Sequence, residues 1–257
     1  MTYSAKIDES KEKVYNHAIA TKIRDLMGKL RKSANEDRKR RWIWELLQNA
    51  KDAAYDDQDV VVEIDFKNNA NSGKLEFKHN GRPFSVDNIT FLIEQVSTKD
   101  QKTEEGERPK QTGKFGTGFL TTHLLSEVVD IKGIIKEPDL AFRKFNFQLD
   151  RSGRELDEIM KNVNDSLSLL NKLDSEPEFN GYQKDDLNTT FTYQLDSKSI
   201  EVAKTGLSDL QFSLPFTLVF LPNIKSVTIA SECCSYSLLH DATKKLGNIY
   251  IQSKKLT

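Results

Sequence analysis

The sequence predicts an α+β fold, a two-layer sandwich in which helices cover one face of a mixed, mainly antiparallel sheet. Two kinds of hydrophobic pattern predict it. Apolar residues recur at helical spacing over residues 10–32 and 156–170, whereas they alternate with polar residues over 60–66 and 143–149. Because 257 residues are enough to bury a sizeable core, we expect one domain that spans residues 1–257.

The composition excludes several classes of protein. With 38 basic and 39 acidic side chains the net charge is −1, so no overall charge draws the chain towards nucleic acid or a membrane surface. The basic run at 38–41 is better explained as a solvated helix face than as a nucleic-acid patch. No apolar stretch approaches the roughly 18 residues that a membrane span needs. The adjacent Cys233 and Cys234 favour reduced thiols, and we expect a cytoplasmic protein.

The segment 43–54 predicts the second helix of the chain and carries the first candidate site. Glu45, Asn49 and Asp52 lie within about 60° of one another at helical spacing, and the apolar residues of the segment lie on the opposite side. An amide oxygen and two carboxylates facing one volume suit metal-assisted phosphate chemistry. A solvated polar helix face is the alternative explanation.

Alternating patterns over 60–66 and 74–79 predict two strands joined by a turn at 68–73. Asn80-Gly81 is a strong signal for a second turn, and residues 84–95 predict a short helix. The polar, charged residues that begin at 97 then predict a mobile lid over a bound ligand. An ordinary solvated loop is the alternative for this stretch.

A glycine-rich loop that leads into a helix over 113–125 is the second candidate site. Gly113, Gly116 and Gly118 would let main-chain amides approach an anion closely, and triphosphate is the natural ligand. The spacing matches neither the P-loop nor the dinucleotide-binding pattern. A flexible surface loop remains the alternative.

The remaining patterns predict strands over 128–135, 143–149, 189–195 and 226–230, with helices over 156–170 and 207–221. The chain then ends without a closing helix. We expect it to be the N-terminal part of a longer protein.

Taken together, the order and spacing of these segments resemble the nucleotide-binding domain of the GHKL (Bergerat-fold) ATPases, which include heat-shock chaperones, mismatch-repair proteins, type II topoisomerases and sensor histidine kinases. The resemblance implies that Glu45 is the general base and Asn49 the magnesium ligand. It also implies that residues 97–118 form the ATP lid. The other implied nucleotide contacts are Asp52, Ala53, Gly81, Pro83, Phe84, Gly113, Lys114, Phe115, Gly116, Thr117, Gly118, Phe119 and Thr189. Within the lid, Lys99 is a candidate contact for the terminal phosphate, and a plain surface lysine is the alternative.

One position departs from the family pattern. The family usually has an aspartate, which accepts a hydrogen bond from the adenine amino group, where this chain has His79. A neutral imidazole can accept through one nitrogen, and Asn80 offers an amide oxygen beside it, so we expect both to contact adenine. The segment 79–84 is similar to the sacsin-like branch of the family.

The resemblance implies a chaperone-like module that binds ATP or ADP with Mg²⁺ and hydrolyses ATP slowly. Lid closure or ATP-dependent homodimerisation would then drive conformational change in further domains of the same chain. Two alternatives stay open. One is a nucleotide-gated binding module without significant turnover, and the other is phosphotransfer of the histidine-kinase type.

Overall fold

A computed structural model of the protein describes residues 2–32, 36–95, 118–218, 221, 223–230, 234–241 and 248–255. Two 3₁₀ helices, Phe119–Leu124 and Leu173–Ser175, lie within them. The α-helices in these residues are α1 (Tyr3–Lys32), α2 (Glu36–Asp52), α3 (Val86–Glu94), α4 (Leu156–Leu170) and α5 (Ser197–Thr217). The strands are β1 (Val60–Asn68), β2 (Ser72–His79), β3 (Val128–Ile135), β4 (Arg143–Asp150), β5 (Thr189–Asp196), β6 (Ile224–Ile229), β7 (Cys234–Asp241) and β8 (Asn248–Lys255).

The strands form one mixed sheet in the order β4-β3-β5-β2-β1-β6-β7-β8. β1 and β6 run parallel, and the other neighbouring pairs run antiparallel. This arrangement confirms the predicted α+β class with a mixed, mainly antiparallel sheet.

One face of the sheet carries the hydrophobic core. The strand register aligns a row of buried side chains across five neighbouring strands: Phe147, Ile131, Phe191, Phe77 and Ile64. Helices α2, α4 and α5 contact strands of this sheet. Because side chains alternate along a strand, burial at every second position gives the sheet one apolar face for the helices to cover.

The opposite face is polar. Lys78 pairs with Glu63 at 2.9 Å across β1 and β2, and Gln148 donates to Asp130 at 2.8 Å across β3 and β4. Each of these half-exposed contacts contributes little to stability. Together they favour the observed strand register on the polar face of the sheet.

Helix α2, which carries the first predicted site, is fixed by its contact with α5. The fully buried Trp42 donates its indole N–H to the carbonyl of Val202 at 3.2 Å, and Trp44 donates to Asp209 at 3.0 Å. Gly206 allows α5 to approach closely, because a Cβ there would lie 2.3 Å from Trp42 Nε1.

Several predicted boundaries differ from the structure. Helix α5 begins at Ser197, not at 207, because Asp196 caps it by accepting from the amides of Lys198 and Ser199. The expected helix over 113–125 is a 3₁₀ helix where it is described, Phe119–Leu124. The sequence did not predict β7 or β8. Among the described residues, no helix combines the length and apolar character that crossing a membrane requires.

Candidate functional site

A cavity of about 210 Å³ lies between the C-terminal turn of α2 and the segment that follows β2. Six of its lining residues were predicted to contact nucleotide: Asn49, Asp52, Ala53, His79, Pro83 and Phe84. Four further lining residues were not predicted: Arg82, Ser85, Asn88 and Lys136. The structure therefore brings the helix motif and the turn motif together at one concave site.

Asn49 supplies an unpaired polar group at this cavity. Its side chain is only 8% exposed, and its buried Nδ2 has no hydrogen-bond partner among the described residues. One turn later, the carboxylate of Asp52 accepts from Gln48 at 2.9 Å and lies 3.4 Å from Lys51 Nζ. A buried amide without a partner carries a desolvation cost, which a bound ligand would remove.

The turn after β2 is locked to the end of α2. The amide of Arg82 donates to the carbonyl of Ala53 at 2.7 Å, and its guanidinium donates to the carbonyl of Asp52 at 3.1 Å. A Cβ at Gly81 would lie 2.7 Å from Ala53 Cβ, so only glycine permits this approach. Gly81 thus sets the backbone position and does not line the cavity.

His79 is a neutral, oriented imidazole in the cavity wall. It is 3% exposed, and burial lowers its pKa to about 4. Its Nδ1 accepts the amide N–H of Gly81 at 3.0 Å, so the ring proton resides on Nε2. The ring also stacks on Phe191, with centroids 6.3 Å apart. The acceptor nitrogen is already engaged within the protein, and His79 offers a donor in place of the acceptor that the sequence suggested.

Asn80 and Thr189 lie beside the cavity but outside its lining. The side-chain oxygen of Asn80 accepts from the amide of Val61 at 2.7 Å, which fastens the turn to the start of β1. One lone pair of that oxygen is therefore used by the backbone. Thr189 is buried and pairs with His79 across β2 and β5.

The helix motif also meets the end of the glycine segment. A Cβ built on Gly118 would lie 1.9 Å from Glu45 Oε2, so the carboxylate lies directly against the Gly118 α-carbon. Glu45 Oε1 accepts from Arg41 Nε at 2.8 Å. Phe119 is buried, and its ring packs against Phe191 at 5.4 Å. The predicted contacts that fall outside the described residues are Lys99, Gly113, Lys114, Phe115, Gly116 and Thr117.

Some of the unpredicted lining residues carried a signal in the sequence, and others did not. Ser85 and Asn88 form a capping box at the start of α3, a pattern that residues three positions apart could have revealed. Lys136 carried no local signal. It reaches the cavity because Phe84 bridges to the end of β3, donating to Ile134 at 2.8 Å and accepting from the Lys136 amide at 2.9 Å.

No group of three or more His, Cys, Asp or Glu side chains within the described part of the chain could hold a metal ion. The donor set at this site nevertheless suits Mg²⁺, which typically takes one or two protein ligands and completes its shell with phosphate and water. Neither the models of known protein families nor the curated proteins yield a match to this chain.

Proposed function

We propose that this chain is a magnesium-dependent module that binds a purine nucleoside triphosphate, ATP being the sequence prediction, and hydrolyses it slowly to drive conformational change in attached domains. The observation that carries the proposal is the contact of Glu45 with Gly118 one turn from the unpaired amide of Asn49. The two residues proposed as general base and metal ligand thus lie near the end of the glycine-rich segment.

The cavity size supports a division of the site into two parts. At about 210 Å³ it is smaller than the roughly 300–1,000 Å³ of most whole-ligand pockets, which fits the base of a nucleotide. Its apolar lining comes from Ala53, Pro83 and Phe84. The phosphates would then lie towards Asn49 and Glu45, which lie on one side of α2, and towards Gly118, which contacts Glu45.

In this mechanism each residue has a separate role. Asn49 would hold Mg²⁺ through its side-chain oxygen, and the ion, when bound, neutralises phosphate charge. Glu45 would orient the attacking water and accept its proton. Main-chain amides at the glycine segment would contact the phosphates, and closure of residues 97–118 would exclude bulk water.

Calorimetric titration of ATP into the full chain, with and without Mg²⁺, tests the binding step. We expect magnesium-dependent binding. The affinity should fall by about tenfold or more in Asn49→Ala, because the contact of the Asn49 side-chain oxygen with Mg²⁺ is lost. Asn162→Ala, on α4 and outside the cavity lining, is the matched control and should bind normally. If neither ATP nor a related purine nucleotide binds, the proposal fails.

Steady-state phosphate release tests the chemical step. Glu45→Gln should reduce turnover by about 100-fold or more while binding persists, because the amide cannot accept the proton. Glu36→Gln makes the same change at the exposed start of α2, and its turnover should match that of the unmodified chain. Equal turnover in the Glu45 and Glu36 variants would remove Glu45 as the base.

One observation favours a gated binding module without turnover as the second candidate. Arg41 donates to the Glu45 carboxylate at 2.8 Å, although the arginine side chain is 65% exposed. The pair occupies Glu45 Oε1, an oxygen that a catalytic base would need for the attacking water, and this favours binding without turnover. If Arg41 restrains an active base, Arg41→Gln should raise turnover. Tight binding with no turnover in either protein would instead establish the gated module.

A further inference from the structure

Two side chains of the cavity wall present hydrogen-bond donors. His79 points its one acceptor nitrogen at the Gly81 amide and keeps its proton on Nε2, which has no partner among the described residues. The buried Nδ2 of Asn49 is likewise without a partner there. The cavity wall therefore holds two donors that a ligand could satisfy.

Several acceptors of the lining already receive hydrogen bonds from the protein. Asn88 accepts the Ser85 amide at 3.2 Å, and Ser85 Oγ accepts the Asn88 amide at 3.1 Å. The carboxylate of Asp52 accepts from Gln48. The backbone carbonyls of Asp52 and Ala53 accept from Arg82. At the place that faces His79 Nε2, a ligand acceptor is therefore matched and a ligand donor is not.

We propose that the base site selects a purine with a carbonyl oxygen at position 6, as in hypoxanthine and guanine, over the 6-amino group of adenine. The proposal rests on the nucleotide binding proposed above and names the base. The carbonyl oxygen would accept from His79 Nε2. A 6-amino group in its place would set one donor against another, and neither the amino group nor His79 Nε2–H would have a partner in a buried site. Unpaired buried polar groups give strong discrimination between analogues.

Paired calorimetric titrations of ITP and ATP into the full chain with Mg²⁺ test the selection, because these nucleotides differ only in the 6 position and the adjoining N1 proton of the base. We expect ITP to bind about tenfold or more tightly than ATP, with GTP following ITP. ATP binding that equals or exceeds ITP binding would overturn the selection and leave the nucleotide-binding proposal standing. Absence of binding by all three would overturn both.

His79→Asn isolates the donor. Its Oδ1 can replace Nδ1 as the acceptor for the Gly81 amide, but it carries nothing in place of Nε2–H. The affinities of the variant for ITP and ATP should therefore differ by no more than about threefold. His123→Asn removes another buried histidine that does not line this cavity, and its preference should be unchanged. A preference that survives His79→Asn would assign the selection to another group and overturn the role of His79.

The tautomer itself is measurable without any substitution. Nitrogen NMR of the imidazole in the unliganded chain at neutral pH should show a protonated Nε2 and an unprotonated Nδ1 for His79. The opposite tautomer would overturn the proposal even if the variant proved too unstable to titrate.

Discussion

The carboxylate of Glu45 lies against the α-carbon of Gly118, closely enough that a Cβ there would come within 1.9 Å of Oε2. The backbone of Gly118 is right-handed, with φ −61° and ψ −46°, so any residue could adopt its conformation. The absence of a Cβ at this position leaves space for the Glu45 carboxylate. The contact joins the helix motif to the segment that precedes the 3₁₀ helix.

Gly118→Ala should therefore displace the Glu45 carboxylate without unfolding the chain, because the obstructing atom is at the end of a flexible side chain. A displacement of about 1 Å at a reacting group typically costs about 100-fold in rate, so turnover should fall by that order. Phosphate release and calorimetric binding of nucleotide should be measured together. A loss of binding as large as the loss of turnover would contradict a specific effect on Glu45.

Gly206→Ala is expected to destabilise the fold. Alanine improves helix propensity by about 1 kcal/mol, but its Cβ would lie 2.3 Å from Nε1 of the fully buried Trp42. The indole cannot move freely, so overpacking should dominate and lower the free energy of unfolding by about 1–3 kcal/mol. Urea denaturation measures the change.

Gly28→Ala should change the free energy of unfolding in the opposite direction in the same assay. Gly28 lies within α1, and a Cβ there would meet nothing within 4 Å. Only the propensity effect remains, and stability should rise by about 1 kcal/mol. If both alanine variants changed stability in the same direction, the packing assigned to Gly206 and Trp42 would be wrong.

The fold was predictable where one local pattern decided the structure. The strand at Val128–Ile135 and the helix at Leu156–Leu170 have the predicted bounds, because their apolar periods are uninterrupted. The start of α5 was missed by ten residues, since the capping interaction of Asp196 with Ser199 outweighs a weak apolar period. Non-local pairing, as between β1 and β6, has no equivalent local signal.

The site was predictable to the extent that its residues share an element or a turn. Asn49 and Asp52 follow from helical spacing, and His79 follows from its position before Asn80-Gly81. The direction of a hydrogen bond does not follow from spacing. The sequence allowed His79 to accept from a base, whereas the amide of Gly81 already occupies its acceptor nitrogen, and the amide of Val61 uses one lone pair of the Asn80 oxygen.

Asp196→Ala should weaken the attachment of α5. The Asp196 carboxylate accepts from the amides of Ser199 at 2.8 Å and Lys198 at 3.0 Å. Removal of such a cap should lower the free energy of unfolding by about 1 kcal/mol. Asp196→Asn keeps an acceptor and should cost much less in the same denaturation experiment. Equal losses in the two variants would show that charge, not capping geometry, provides the stabilisation.

Acid should destabilise the chain through its buried histidines. Burial lowers the pKa of His79 to about 4, and burial followed by the nearby Arg151 lowers that of His123 to about 3. The unfolded chain binds protons near pH 6.5 while the folded chain does not, so stability falls as the pH drops below that value. Each histidine should contribute a loss of about 2 kcal/mol between pH 7 and pH 5.

His123→Asn tests this dependence. Asparagine can still donate to the Ser126 carbonyl, which lies 3.2 Å from His123 Nδ1, but its side chain does not take up a proton in this pH range. Glu127 partly offsets the effect of Arg151 on His123, and both remain in the variant. The loss of stability between pH 7 and pH 5, measured by urea denaturation, should shrink by about 2 kcal/mol in the variant. An unchanged pH dependence would mean that His123 takes up its proton equally in the folded and unfolded chains, contrary to its burial.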